Sequence, residues 1–431
     1  MTGLSKSALA TYAAAGLPLA AAALPVYVHA PKFYAELGLD LALIGALLLA
    51  VRVLDAVSDP LLGLLADRTP VRFGGRKAML AAAVPVVAAG MYLLFHPPAN
   101  GVALASWLAM SLVLVYLGLS AASISYFALG SALSRDYGER TRITAARGTA
   151  ALAGVLLAAA VPEILAQRHG AVAGMAYFSS AYAPLLLLAV AVTVLAGPQA
   201  PASRGAQTFR LGDMLQPLRN VRFRRLAAAF LVNGVAAAIP ATLVLFYVAD
   251  VLQRPNLTAM FLVLYFVSGA AGMPIWVRLA ASIGKARAWL LAMVLAIAAF
   301  VWAYFLGPGA TVAFAIVCVL SGLAFGADLA LPASLLADVI DDDEKQDRRP
   351  DGAYFGLWHL LEKLALALSA GIALPLLHVL GYVPGFPVAP GSALPWVYAL
   401  LPCAIKLAAV SMLWVAAPEP LRSGVLKGEV T

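Results

Sequence analysis

The sequence contains few charged residues, since only 12% of its 431 positions are Asp, Glu, Lys or Arg. A soluble domain has roughly 25% charged residues, so this composition argues against a soluble protein. Hydrophobic residues make up 63% of the chain, and a helix that is apolar on every side belongs in a membrane or a very large core. One membrane span needs about 20 apolar residues. The sequence contains twelve such stretches, which predicts an integral membrane protein.

Cysteine and the motifs of soluble enzymes are also scarce. The only cysteines, Cys318 and Cys403, lie in apolar stretches, so we expect neither a disulfide framework nor a metal site built on cysteine. The sequence has no phosphate-binding glycine loop, no zinc-ligand spacing and no nucleophile beside a base. We therefore expect that the protein is not an enzyme or an ATP-driven pump, and that it needs no cofactor.

The apolar stretches fall into two sets of six, separated by a polar linker rich in Pro, Gln and Arg. The linker covers residues 197–223, which predicts a first six-helix bundle over 1–196 and a second over 224–431. Residues 7–29 lack a basic start and a small-residue cleavage site, so we interpret them as a retained helix and not a signal peptide. The predicted helices are 7–30, 39–65, 78–96, 102–133, 145–166, 174–196, 224–250, 257–282, 287–307, 310–335, 353–380 and 393–417.

Positive charge is distributed unevenly among the loops. The even-numbered connections and both tails hold most Lys and Arg, whereas the odd-numbered connections hold only Lys32, Arg168 and Arg254. Cytoplasmic loops carry an excess of Lys and Arg, so both termini and the linker are predicted to be cytoplasmic, in a bacterial inner membrane. The net charge of +8 is thus a topology signal. We expect contact with membrane lipid and no nucleic-acid partner.

Ionisable side chains inside the apolar stretches are the strongest functional signal. Each costs about 2.5–3.5 kcal/mol at the centre of a membrane helix, so such residues usually serve a function. The main candidates are Arg52, Asp55 and Asp59 in the second stretch and Lys363 in the eleventh. Weaker candidates are His359, Glu362, Asp328 and Lys406.

Asp55 and Asp59 are four residues apart, which places them on one face of a helix. Two carboxylates beside the hydroxyl of Ser58 suit a sodium ion, or they share a proton because like charges raise the pKa of one of them. The alternative is a static ion-pair network in which Arg52 and Lys363 neutralise both carboxylates. The two interpretations coexist if an incoming cation displaces Lys363.

The eleventh apolar stretch contains further ionisable residues. His359 and Lys363 share a helix face, whereas Glu362 is expected to point towards a neighbouring helix.

The acidic run 341–344 is interpreted as a solvated loop that pairs with the basic loop of the other half. The segment 59–63, after helix two, has a counterpart at 272–274, after helix eight. Helices four and ten are likewise followed by segments that resemble each other. This indicates two repeats around a central cavity.

Four short motifs occur in order along the chain and resemble those of one transporter family. They read RVLDAVSDPLLG at 52–63 with DRT at 67–69, DYGERTR at 136–142, LADVID at 336–341, and GAYFG at 352–356 before Lys363. They resemble the glycoside–pentoside–hexuronide:cation symporters and span both halves. The resemblance implies the major facilitator fold with twelve helices. It also implies symport of a small organic solute, such as a sugar or glycoside, coupled to Na⁺ or H⁺ by alternating access.

Together with the residue pattern, the resemblance implies roles for individual side chains. The cation ligands, for Na⁺ or H⁺, would be Asp55, Asp59, Ser58 and Ser120. The substrate contacts would be Ser123, Tyr126, Phe127, Arg147, His359 and Lys363. The coupling and gating residues would be Arg52, Asp67, Arg68, Arg140, Arg142, Asp338 and again Lys363.

The sequence departs from sugar-transporting relatives at two positions. Those relatives have carboxylates on helices one and four, whereas this chain has Leu19 in an acid-free first helix and Ser123 in the fourth. One alternative is therefore a lysolipid or other amphipathic-solute transporter of the same fold. Another is a non-transporting membrane sensor or assembly factor, although the costly set of Asp55, Asp59 and Lys363 favours transport. We expect the protein to function as a monomer.

Overall fold

The computed structural model describes residues 4–68, 75–98, 103–134, 136–198, 216–344, 351–388 and 391–416, and the regular elements in these ranges are helical. Twelve helical segments there are long and apolar enough to cross a membrane. The predicted all-α membrane protein with twelve spans is confirmed. The helices are α1 Lys6–Glu36, α2 Leu41–Arg68, α3 Gly75–Leu94, α4 Leu104–Ala132, α5 Tyr137–His169, α6 Ala171–Leu195, α7 Val221–Val251, α8 Thr258–Ile283, α9 Lys285–Phe305, α10 Thr311–Glu344, α11 Asp351–Val379 and α12 Ala393–Val415.

Two helices run further than their apolar stretches predicted. α10 continues to Glu344, so the interpretation of 341–344 as a loop is wrong. α5 begins at Tyr137, where the Asp136 side chain accepts a 2.9 Å hydrogen bond from the Glu139 amide and caps the helix. Arg147 therefore lies in the third turn of α5 and not at its start. Loss of apolar character marks the membrane boundary, whereas a helix ends only where its backbone hydrogen bonds end.

The first and seventh helices each contain a π-helical segment. In α1 it covers Pro25–His29, and in α7 it forms the last five residues, Tyr247–Val251. The α1 segment begins with a proline, which cannot donate a backbone hydrogen bond. Single π-helical turns occur frequently at functional sites.

The chain divides into two compact units that differ from the two halves of the sequence. Unit 1 contains Met1–Phe209, Ala241–Val263 and Leu366–Val388, and unit 2 contains the remaining segments. Unit 1 thus combines α1–α6 with one end of α7, the start of α8 and part of α11. The bundle boundaries expected from the linker at 197–223 stay a prediction.

Polar contacts inside unit 1 fasten these second-half segments to first-half helices. Lys32 Nζ donates a 3.2 Å hydrogen bond to the Leu245 carbonyl of α7. Asp40 Oδ2, before α2, lies 2.7 Å from His378 Nδ1 of α11. A third contact joins the Gln167 amide of α5 to the carbonyl of Asn256 at 2.9 Å. We call this the closed end of unit 1.

Unit 2 has its own buried core, which lies between α7, α9, α10, α11 and α12. Its largest side chains include Trp289 and Phe223, both fully buried, and Trp358. The Phe230 ring stacks on Trp358 with the ring centroids 3.9 Å apart. Burial of such aromatic side chains holds these helices together and positions the polar groups described below.

Candidate functional site

Asp55 is the most deeply buried carboxylate of the predicted set. Its side chain is 1% exposed, and Oδ1 accepts a 2.6 Å hydrogen bond from Ser120 of α4. Its Oδ2 lies 3.5 Å from Arg52 Nη1, one turn earlier on α2. The structure therefore brings together three of the predicted residues inside unit 1, with a hydroxyl and a guanidinium on the same carboxylate.

Arg52 is held by an aromatic ring as well as by Asp55. Its guanidinium carbon lies 4.0 Å from the centre of the Tyr116 ring on α4, a geometry in which the ring face attracts the cation. Tyr116 is nearly fully buried. The sequence analysis did not find this aromatic partner, because the two residues are distant in the chain and a lone tyrosine in an apolar helix gives no signal.

Asp59 and Ser58 occupy the next turn of α2. Both are half-buried, and Ser58 Oγ donates a 2.8 Å hydrogen bond to the backbone carbonyl of Asp55. Ser58 thus supports the Asp55 turn, and its oxygen also keeps an acceptor lone pair. The assignment of Asp55, Asp59, Ser58 and Ser120 as cation ligands stays a prediction.

Arg147 and Phe127 form a cationic and aromatic pair between α5 and α4. The guanidinium carbon of Arg147 lies 4.4 Å from the Phe127 ring centre, and Phe127 is 46% exposed. Arg147 also lies beside the Tyr12 hydroxyl of α1. Within the described part of the chain, Arg147 forms no ion pair with a carboxylate. These two predicted substrate residues are therefore adjacent, and the positive charge of the Arg147 guanidinium could attract an anionic ligand group.

Tyr126 and Ser123 differ in their surroundings. Tyr126 is buried and stacks on Tyr12 with the ring centroids 4.8 Å apart, and its hydroxyl donates to the Tyr12 carbonyl at 3.1 Å. Ser123 is half-buried on α4. In this arrangement Tyr126 packs α4 against α1, so a direct substrate contact by it stays a prediction, as does one by Ser123.

On α11 of unit 2, two neighbours of Lys363 form a pair. His359 Nδ1 lies 2.9 Å from Glu362 Oε2, so the expectation that Glu362 points away from His359 is wrong. Residues three apart meet on a helix surface. Lys363 itself is half-buried, and its predicted pairing with Asp55 and Asp59 stays a prediction.

Asp328 and Lys406 belong to a buried network in unit 2. Asp328 accepts hydrogen bonds from Trp289 at 2.7 Å and from Asn233 at 3.0 Å. Lys406 Nζ lies 3.4 Å from Asp328 Oδ2 and donates to Asn233 at 2.5 Å. The network joins α7, α9, α10 and α12. Its two charged members were weak candidates from the sequence, whereas Asn233 and Trp289 are uncharged and were not predicted.

The predicted gating residues make mostly local contacts. Arg142 pairs with Glu139, and Arg140 donates to the Ser134 carbonyl at 3.1 Å. In unit 2, Asp338 lies 2.5 Å from Lys285 at the start of α9. The side chains of Asp67 and Arg68 lie outside the described residues. The gating roles stay predictions.

Twelve membrane-spanning helices and ionisable side chains buried within them define a membrane transporter. The chain matches the family described as MFS/sugar transport protein over residues 9–417. It therefore belongs to that family of the major facilitator superfamily, among proteins like the glycoside–pentoside–hexuronide:cation symporters. The resemblance inferred from the four motifs is confirmed.

Three curated relatives show the breadth of this family. The inner membrane symporter YicJ of Escherichia coli (strain K12) is 27% identical over 257 residues, which are 57% of this chain and 55% of that protein. The glucuronide carrier protein homolog of the same organism is 27% identical over 410 residues, 89% of this chain and 86% of that protein. Sodium-dependent lysophosphatidylcholine symporter 1 of Gallus gallus is 23% identical over 372 residues, which are 77% of this chain and 70% of that protein.

A solved structure shows the fold. The crystal structure of a bacterial homolog to the human lysosomal transporter Spinster, in an inward-facing and unoccupied conformation, has a TM-score of 0.70 with this chain. The two are 13% identical over 97% of each chain. The predicted major facilitator fold is confirmed.

Proposed function

We propose that the protein is a symporter that couples Na⁺ or H⁺ to the movement of a small organic solute across a bacterial inner membrane. The observation that carries the proposal is the buried Asp55 carboxylate, which touches the Ser120 hydroxyl at 2.6 Å. A carboxylate and a hydroxyl are the hard oxygen donors that a sodium ion prefers, and a carboxylate is equally a proton acceptor. Asp59, one turn further along α2, would complete the site.

Arg52 gives this site a means of coupling. Its guanidinium compensates part of the Asp55 charge at 3.5 Å, so a cation that binds to Asp55 weakens the attraction between the two side chains. Lys363 would act in the same way in another conformation. A cation shifts a conformational equilibrium only when it binds two states with different affinities. Competition with an internal cation provides such a difference.

The proposed orientation places the closed end of unit 1 outside the cell. The connections at this end carry little positive charge, whereas the opposite loops are rich in Arg and Lys. The conformation described here is then closed towards the outside. Alternating access requires that the contacts at this end break in the opposite state.

Cation binding is tested without knowledge of the solute by thermal unfolding of the purified protein in NaCl and in choline chloride, at several pH values. A ligand raises the unfolding temperature of the state it binds. We expect a rise in sodium that Asp55→Asn abolishes or, for proton coupling, a rise at low pH that Asp55→Asn reduces. Ser125→Ala, a change at another buried serine of α4, is the control and should behave like the wild type. An equal response in Asp55→Asn would contradict the proposal.

An amphipathic solute is the second candidate. The relative from Gallus gallus carries lysophosphatidylcholine in its name, and the Arg147 cation over the half-exposed Phe127 ring suits a ligand with both anionic and apolar parts. Competition of glycosides and lysolipids for uptake into proteoliposomes decides between the two solute classes. Inhibition by lysolipid alone would favour the second candidate.

A further inference from the structure

A buried histidine and a buried glutamate face each other between α1 and α5 in unit 1. His29 Nε2 lies 3.3 Å from Glu163 Oε1, and the side chains are 4% and 14% exposed. Neither ring nitrogen of His29 has a hydrogen-bond partner of suitable geometry among the described residues. Titratable groups within membrane helices are costly and usually functional. The cation site on α2 does not use this pair.

The backbone around the pair is specialised. His29 is the last residue of the π-helical segment Pro25–His29, which changes the direction of its side chain relative to a regular α-helix. α1 and α5 also approach closely, because a Cβ atom at Gly154 would overlap the backbone carbonyl of Leu17. The two ionisable side chains are therefore held together by the packing of their helices.

Carboxylates outnumber cations around the pair. On α1, Lys32 Nζ lies 3.7 Å from Glu36 Oε1. Glu36 also interacts electrostatically with Glu163 and with Asp250 of α7. Glu36 is therefore within electrostatic range of one lysine and two further carboxylates, and a proton added to His29 or Glu163 offsets part of this negative charge.

The α7 carboxylate of this group is itself fixed by the loop after α11. Asp250 accepts hydrogen bonds from the Tyr382 hydroxyl and, at 3.1 Å, from the Gly385 amide. Burial and the neighbouring Asp250 charge raise the pKa of the Tyr382 phenol, so it keeps its proton and remains a donor. Both donors meet Asp250 Oδ2, so this oxygen is engaged, whereas His29 and Glu163 face each other.

We propose that His29 and Glu163 form a proton-binding site, separate from Asp55, at the closed end of unit 1. The proton comes from solvent and binds to the imidazole or to the carboxylate, whose Nε2 and Oε1 atoms lie 3.3 Å apart and attract each other when the histidine is charged. Contacts from α7, such as Lys32 to the Leu245 carbonyl, cover the cluster while this end is closed. Opening would hydrate the pair and weaken its attraction for the proton, so proton binding favours closure.

Histidine NMR of the full-length protein in detergent tests the site directly, without transport. The chain has five histidines, and His29→Gln assigns the His29 signal by its loss. We expect the midpoint of the protonation change in this signal to move to lower pH in Glu163→Gln, because the carboxylate that favours the charged imidazole is lost. His378, half-exposed beside Asp40, is the control whose signal should not move in Glu163→Gln.

Thermal unfolding across the same pH range provides a second readout. A proton held more tightly in the folded, closed protein stabilises it at low pH, and this stabilisation is lost as pH rises through the His29 midpoint. We expect the pH dependence to flatten in His29→Gln and in Glu163→Gln but not in His169→Gln, which changes an exposed histidine of α5. If Glu163→Gln does not fold, a wild-type His29 signal, assigned through His29→Gln, that shows no protonation change overturns the proposal. So does a titration unchanged by Glu163→Gln. Neither outcome bears on the cation site at Asp55.

Discussion

Ser120 Oγ on α4 lies 2.6 Å from Asp55 Oδ1 on α2, with both side chains almost completely buried. The hydroxyl donates to the carboxylate and so stabilises its charged form. The same oxygen has lone pairs that remain available for a cation. The contact joins α2 to α4 at the carboxylate of the proposed cation site.

Ser120→Ala should weaken sodium binding at Asp55. A hydrogen bond to a charged group contributes about 1.5–3 kcal/mol, so we expect a loss of sodium affinity of about tenfold or more. The midpoint of the sodium response in thermal unfolding measures this affinity. Ser125→Ala is the matched control, and Ser120→Thr should retain the wild-type midpoint because it keeps the hydroxyl. Equal midpoints in Ser120→Ala and wild type would contradict a ligand role.

Asp59→Asn should stop uphill transport while the protein stays folded. Asn has nearly the volume of Asp but lacks its charge, so one cation ligand is lost without a cavity. Substrate exchange across proteoliposomes should persist, whereas accumulation driven by a sodium or pH gradient should not. Full gradient-driven accumulation in the variant would show that Asp59 does not couple cation and solute.

Arg147→Lys should separate substrate recognition from membrane anchoring. Lysine keeps the positive charge but has neither the planar fork nor the flat surface that lies 4.4 Å from the Phe127 ring. We expect the concentration of solute for half-maximal uptake to rise about tenfold or less, since a cation–π contact contributes about 0.5–2 kcal/mol. Arg168→Lys, which changes an exposed arginine of α5, is the control. An unchanged half-maximal concentration in Arg147→Lys would indicate anchoring alone.

Lys363→Ala and Asp55→Asn test whether helix eleven supplies charge to the cation site. If the two residues interact, Lys363→Ala leaves excess negative charge and lowers the unfolding temperature. Adding Asp55→Asn should then recover part of the loss, because coupled residues give non-additive effects. Strictly additive changes in the double variant would mean that the residues are not paired, and competition between Lys363 and the cation would have to be abandoned.

Lys406→Met should destabilise unit 2 strongly, because it leaves Asp328 buried without its cation at 3.4 Å. Removing one partner of a buried ion pair costs about 3–5 kcal/mol. Asp328→Asn in the Lys406→Met background should restore much of the unfolding temperature, since the amide still accepts from Trp289. Cys403→Ala, one turn away on α12, serves as the control for packing. Destabilisation that the second change leaves untouched would argue against the ion pair.

The sequence alone determined the number of helices and the class of transporter. Long apolar stretches must become helices in a membrane, because every backbone hydrogen bond has to be satisfied within the segment. The spacing of Asp55 and Asp59 likewise required only helical geometry. The cost of burying charge identified Arg52, Asp55, Lys363, Asp328 and Lys406 before any contact was known. These inferences depend on composition and local periodicity, which are readable from one chain.

Tertiary structure decided which of these residues meet. The ring of Tyr116 beneath Arg52, the amide of Asn233 beside Lys406 and the approach of Glu163 to His29 all join distant parts of the sequence. Uncharged or singly placed residues give no periodic signal, so only the packing of helices reveals them.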